Sequence, residues 1–469
     1  MNVSWLVRVI VFCVNKKLKI KDMSKTFKIG GIHPNDSKLT AGKEIVWLEQ
    51  PQKVQMMLYQ QIGAPSICIV KVGDKLKKGQ LIAEDGSFVS ACQHAPISGT
   101  VTKIEKIRNT QGWYGEAVTI EADPDRGNDF MEASNPRTQE QVDALSVKEI
   151  IDIVDSHGVV GLGGATFPTR VKLLPPEGSK PEVVIINGVE CEPYLTCDDA
   201  LMRRYPNEIV KGVELLMKVV NVSRGVIAIE DNKPEAIKIM RKAVEGRDDI
   251  KVVSLKKKYP QGGEKQLIAA VLGKEVRSGA LPVTTGAVVN NVATVYTIFE
   301  AVYNDRPLIE RVVTVTGPTL TNPGNFLATL GTPIRTLIEA AGGLPEDTGK
   351  VIAGGPMMGK AVVNIDAPTT KGLSGILVLP ESESHRKKEL PCIRCANCVN
   401  VCPMGLEPFL ISLLAKKHNW EDCEKGYVMN CIECGSCSYI CPSHRPLLDY
   451  IKLGKQTVAG IIRERNNKK

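Results

Sequence analysis

At 469 residues the chain is too long for one core, and 43% hydrophobic with 24% charged residues excludes a disordered or fibrous protein. No run of 18 apolar residues occurs, which excludes a helix that spans a membrane within this sequence. A net charge of +8 is modest at this length, and nothing in it points to nucleic-acid recognition.

Residues 3–14 are apolar but short, interrupted by Arg8 and followed by a basic run at 16–21. A signal peptide has its charge first and a small-residue cleavage site last, and neither is present. Residues 1–23 are therefore expected to be a leader, with Met23 as the functional start. From 24 to 125 the sequence is rich in glycine and β-branched residues, with short strands separated by Gly-Asp turns. This predicts a small β-sandwich or barrel. It resembles the lipoyl/biotinyl barrel-sandwich family, whose carriers present a modified lysine at a hairpin tip. The matching stretch, VSACQH over residues 89–94, has no lysine. A structural module is expected, with His94 a packed or hydrogen-bonded loop residue.

From 139 to 308 helices and strands alternate. Ser146 and Glu149 form a capping box, and Gly158 suits the end of that helix. Short β-branched runs at 183–187, 226–230 and 252–255 read as buried parallel strands, with a helix opening near Pro234. Ligands in such sheets sit beyond the carboxyl ends of the strands. The candidate site segments fall there. GLGGATFPTRVK at 161–172 is a glycine-rich loop leading into an expected helix, where backbone N–H groups can approach a phosphate and Lys172 can add a full charge. Alone it is weak evidence, since such turns are often only turns. NGVECEPY at 187–194 places two acids and a cysteine after a strand, and YPQGGEK follows at 259–265. Asn290 and Asn291 sit in an apolar context, where they either read a flavin edge or cap a helix beginning near Thr294.

Residues 309–380 are β-rich again, with a close backbone turn at 354–359 whose methionine pair reads as packing. Nine of the fourteen cysteines then crowd into residues 392–441, which in a chain without a secretion signal argues for metal. Two CxxCxxCxxxCP runs begin at Cys392 and Cys431. In two-cluster ferredoxins the fourth cysteine of each run serves the other cluster. That assigns Cys392, Cys395, Cys398 and Cys441 to one [4Fe–4S] cluster and Cys431, Cys434, Cys437 and Cys402 to the second. Zinc would need four ligands and no doubled run. Cys423 falls outside both runs and reads as an ordinary thiol. The spacer carries a helical pattern at 406–417, and residues 456–469 form a basic tail.

Four of these segments, taken in order, are similar to the NADH-oxidising, FMN-carrying subunit of respiratory complex I. They are Gly161 to Lys172, Asn187 to Pro193, Tyr259 to Glu264, and Asn290 to Thr294. Val189 departs from that family's aspartate, and Gly263 from one of two glutamates. The full order gives a multidomain α/β plus β fold: barrel-sandwich hybrid (24–125), Rossmann-like flavin domain (139–308), β-grasp domain (309–380) and α-helical two-cluster ferredoxin domain (385–455). It resembles the RnfC family, found in Rnf ion-translocating electron transport complexes. That resemblance implies FMN held by Gly161, Gly163, Gly164, Lys172, Asn187, Asn290 and Asn291. It implies NAD(H) met by Phe167, Glu190, Tyr259 and Glu264. It further implies electron exchange between NAD(H) and ferredoxin, coupled to Na⁺ or H⁺ transport by partner subunits, from a peripheral position on the cytoplasmic face of the membrane. Two rivals are the flavin subunit of a soluble NAD-linked hydrogenase or formate dehydrogenase, and a non-catalytic electron wire.

Overall fold

The computed structural model describes residues 25–123 and 136–467; the expected leader lies outside them. Lys53–Met57, Tyr114–Ala122, Gly99–Arg108 and Lys75–Leu76 form one antiparallel sheet, in that order, and three short strands form a second. Alternate residues such as Val54, Met56, Val101, Val118 and Ile120 point inward and fill the space between the sheets. Residues 90–94, where a carrier domain would display its lysine, are all buried. Lys371 enters there from the β-grasp domain, and its Nζ donates to the carbonyls of Cys92 (2.7 Å) and Gly158 (2.8 Å). One buried amine thus ties three units together. His94 is 5% exposed, and burial holds its imidazole well below its usual pKa.

The segment before this sandwich also pairs with the neighbouring domains. Ile45–Trp47 pairs in parallel with Gly324–Thr329 as the edge of the β-grasp sheet. Lys25 bridges to Leu255, and Ile32 to Tyr259, in the α/β domain.

In the α/β domain Ser146 and Glu149 exchange hydrogen bonds as a capping box at the start of the helix Val147–Ser156. Four parallel strands run in the order Ile250–Leu255, Gly225–Glu230, Val183–Gly188, Ala287–Asn291. The central strands are apolar on both faces because helices cover both sides. The first three strands are laid down in one direction, and the chain then returns to place the fourth beside the first. The switch point therefore lies between Val183–Gly188 and Ala287–Asn291, where Asn187 and Asn291 are register partners.

The β-grasp domain is a six-stranded mixed sheet packed against the helix Ile334–Ala340. The last domain is helical: Pro408–Lys416, Trp420–Lys425 and Leu447–Asn467 enclose Ile411, Ala415, Val428, Ile451 and Val458. Pro408 opens its helix at a position where a missing N–H costs nothing. Cys423 is fully buried in this core, consistent with a packing thiol.

Candidate functional site

The glycine-rich loop lies over the switch point. Leu162 N–H donates to Thr294 Oγ1 (2.8 Å), and Gly161 N–H closes the loop onto the Phe167 carbonyl (2.8 Å). A Cβ at Gly163 would stand 2.8 Å from Asn291 Cβ, so only glycine allows this approach. Gly164 holds φ +144° with open space where a Cβ would stand, and Gly163, Gly164 and Ala165 are exposed. The helix that follows is only Thr169–Leu173 and has no side-chain cap, so the loop amides matter more than a helix terminus. Lys172 Nζ sits 2.7 Å from Glu264 Oε1.

Both readings of the asparagine pair have a counterpart. Asn291 caps the helix Val292–Asn304 by accepting from Ala293 N–H (2.8 Å), and its amide donates to Asp198 Oδ2 (2.7 Å). Asn290 is 5% exposed, and its amide nitrogen has no partner. A buried donor left unpaired is costly. The open glycine cradle and the lysine that follows it are donors that fit an anionic group such as the FMN phosphate, and Asn290 adds an unpaired buried amide on the adjoining strand.

The loop after Val183–Gly188 is held by its own side chains. Asn187 braces it, donating to the Gly262 carbonyl (2.9 Å) and accepting from Val189 N–H (3.2 Å). Val189 is buried in the core beneath. Glu190, at φ +46°, turns its carboxylate onto the N–H groups of Asp198 (2.8 Å) and Asp199 (3.3 Å), an anion at the start of the helix Cys197–Arg204. Burial, and then Glu190 beside it, raise the Asp198 pKa. The Lys38 amine holds the loop by three carbonyls, those of Glu190, Glu192 and Leu195. No sequence signal marked that lysine.

Tyr259, expected beside the nucleotide, is enclosed at a domain junction. It is 1% exposed, and its hydroxyl lies 2.8 Å from the Cys434 carbonyl and 3.1 Å from Glu192 Oε1. It offers no face to a dissociable nucleotide; it ties the α/β domain to a cysteine loop. Glu192, one of the two acids of this segment and given no role by the sequence, also accepts from Met357 N–H (3.1 Å) in the β-grasp turn. Its carboxyl is pushed up by burial. Gln266, next to Gly263, reaches the Pro403 carbonyl (3.3 Å). Phe167 and Glu264 remain partly open beside the loop.

The fold brings the cysteines together across the two runs. Burial, and then neighbouring Cys431, Cys434 and Cys402, raise the Cys437 thiol to about 12. Cys402 likewise acts on Cys431 and Cys434, while Cys441 and Cys392 act on Cys398. A single ion with bonds of ~2.3 Å would draw its sulfurs to about 4 Å apart. Among the described residues, no three of these sulfurs lie within 4.8 Å of one another. Cys402, Cys434 and Cys437 are at most 8% exposed, whereas Cys392 and Cys395 are exposed.

Comparison with known proteins places these features together. Residues 25–125 match the RnfC barrel sandwich hybrid domain, 154–300 the Nuo51 FMN-binding domain, 312–361 the SLBB domain and 385–442 the 4Fe-4S dicluster domain. The chain is 45% identical to the C subunit of the proton-translocating ferredoxin:NAD(+) oxidoreductase complex of Clostridium ljungdahlii, over 86% of this chain and 88% of that one. It is 43% identical to the Na(+)-translocating counterpart of Acetobacterium woodii, over 94% and 99%. Identity to the corresponding member of the ion-translocating oxidoreductase complex of Rhodobacter capsulatus is 39%, over 94% and 84%.

Proposed function

This chain belongs to the RnfC family of ion-translocating ferredoxin:NAD⁺ oxidoreductase complexes, and we propose that it handles NAD(H) there through FMN and two [4Fe–4S] clusters. When bound, FMN supplies hydride acceptance with single-electron release, and the clusters supply single-electron transfer. The chain's own residues do the rest. Gly163 and Gly164 would present backbone N–H groups to the flavin phosphate, Gly161 closes the loop through its N–H to the Phe167 carbonyl, and Lys172 would add charge. Asn187 and Asn291 fix the floor of the site, and Asn290 offers its unpaired amide. Phe167 and Glu264 border the opening where a nicotinamide nucleotide would enter. Glu190 holds the loop in shape, and Tyr259 belongs to the domain junction.

The observation that carries this reading is the buried contact between Tyr259 Oη and the Cys434 carbonyl, 2.8 Å long. It supports a cluster held by Cys402, Cys431, Cys434 and Cys437 against the α/β domain. That cluster would be the one nearer the flavin domain, and Cys392, Cys395, Cys398 and Cys441 would hold the terminal one. Electrons would pass between the terminal cluster and the partner subunits, toward ferredoxin, while ion transport occurs in those partners. Among the described residues no helix is long and apolar enough to cross a membrane, so attachment at the cytoplasmic face would come through partner subunits.

Anaerobic purification with iron and acid-extractable flavin measured per chain tests the reading. About eight irons and about one FMN, with NADH bleaching the flavin, is the expected result. Eight irons with neither flavin nor NADH response would leave an electron wire instead. Recovery in the soluble fraction, with no association to membranes, would favour the soluble hydrogenase or formate dehydrogenase type.

A further inference from the structure

The two cysteine runs are backbone replicas. Arg394 and Glu433 hold φ +56° and +59°, Ala396 and Gly435 hold +58° and +78°, and each run continues into a four-residue helix, Asn397–Asn400 or Ser436–Tyr439. Equal backbones present equal surfaces, yet their surroundings differ. The second run is covered by its own chain: Ile432 packs with Ile32, Tyr259 and Met357, and the Gly435 α-carbon lies against the Met357 carbonyl. The first run is bare, with every residue from 385 to 397 exposed and Ile393, the counterpart of Ile432, 67% exposed. An apolar residue that anchors a domain interface in one copy stands open in the other. Nearby Leu390 is 48% exposed as well.

Charge differs in the same way. Glu433 is held by Lys455 at 2.9 Å. Its counterpart is the cation Arg394, which has no ion pair among the described residues, as is also true of Lys387 and Lys388. Arg386 adds to this basic rim while paired with Asp449. Clustered exposed cations steer an anionic partner, and a central apolar residue supplies the contact that excludes water.

We propose that the exposed loop around Cys392 and Cys395 is the docking face for an acidic iron–sulfur protein, with Ile393 as its apolar anchor and Lys387, Lys388 and Arg394 as its charged rim. The proposal rests on the cluster reading above. A one-electron exchange across this face would oxidise one centre and reduce the other, with no bond made or broken.

The test uses the full-length chain with both clusters loaded and, as probe, a soluble acidic two-[4Fe–4S] ferredoxin. The variant Lys387→Glu/Lys388→Glu/Arg394→Glu is expected to weaken binding at least tenfold at low salt and to abolish its salt dependence. Glu433 already occupies the backbone conformation that Arg394→Glu requires. Ile393→Ala is expected to weaken binding at every salt concentration. Iron content and the reduced-cluster EPR signal should stay at wild-type values in both variants. A wild-type chain without eight irons would defeat the cluster reading itself. Full iron with unaltered ferredoxin affinity in both variants would overturn the docking face alone. Loss of binding to anionic vesicles with ferredoxin binding unchanged would overturn it in favour of a lipid surface. Loss of a concentration-dependent dimer, again with ferredoxin binding unchanged, would do so in favour of a second copy of the chain.

Discussion

Replacing Lys172 by alanine separates a ligand role from a structural one by size. Its amine pairs with Glu264 at 2.7 Å, and the two side chains are 33% and 38% exposed. A pair that open to water stabilises the fold by about 0–1 kcal/mol, so its loss should barely change the melting temperature. A charge-assisted hydrogen bond from Lys172 to a flavin phosphate is worth about 1.5–3 kcal/mol, which is roughly tenfold to a hundredfold in Kd. The assay is titration of the deflavinated, iron-loaded protein with FMN, followed by flavin fluorescence, with iron counted in parallel. FMN affinity should fall by that factor while iron per chain stays constant. Glu264→Gln keeps the cation and frees it from its partner, so FMN affinity should hold or tighten while the response to NADH weakens. Unchanged FMN affinity in Lys172→Ala would refute the ligand role, as would parallel loss of flavin and iron.

Gly163→Ala would put a methyl 2.8 Å from Asn291 Cβ, so flavin content should drop with iron retained, as measured on the purified protein. Tyr259→Phe removes the hydroxyl that meets the Cys434 carbonyl. That leaves the negative end of the carbonyl dipole unopposed, so one cluster's potential should fall by tens of millivolts, at about 59 mV per tenfold for one electron. EPR-monitored potentiometry should show the other cluster unmoved. Burial depresses the Lys371 amine from 10.5 to about 7. The unfolded chain therefore binds the extra proton between those values, and stability rises with pH across that window. Melting of wild type against Lys371→Met should show the wild type gaining on the variant as pH goes from about 7 to about 9.5, by on the order of a few kcal/mol. A constant difference would mean the lysine is ordinary.

Much of the architecture was written in local patterns. The Ser146–Glu149 box, the apolar strand runs and Pro234 at a helix start each act within a few residues, and the structure shows them so. Other features depended on distant chain. The short run at Ile45–Trp47 carries no mark of the sheet it joins, because its partner Gly324–Thr329 lies far along the sequence. The asparagine pair admitted two roles, and one of its members is a helix cap because Val292 begins the helix there.

The sequence by itself determined the family, the domain order and the two cysteine runs, since thiolates two residues apart around a cubane are a local requirement. It also marked the glycine loop and the asparagines as candidates. Only the tertiary structure decided that Tyr259 faces a cysteine loop, that Glu190 caps a helix, and that one of two near-identical runs is covered while the other stands open. Spacing along a chain fixes what a segment can bind. Which of two equal surfaces is buried depends on what another domain brings against it, and no local period encodes that.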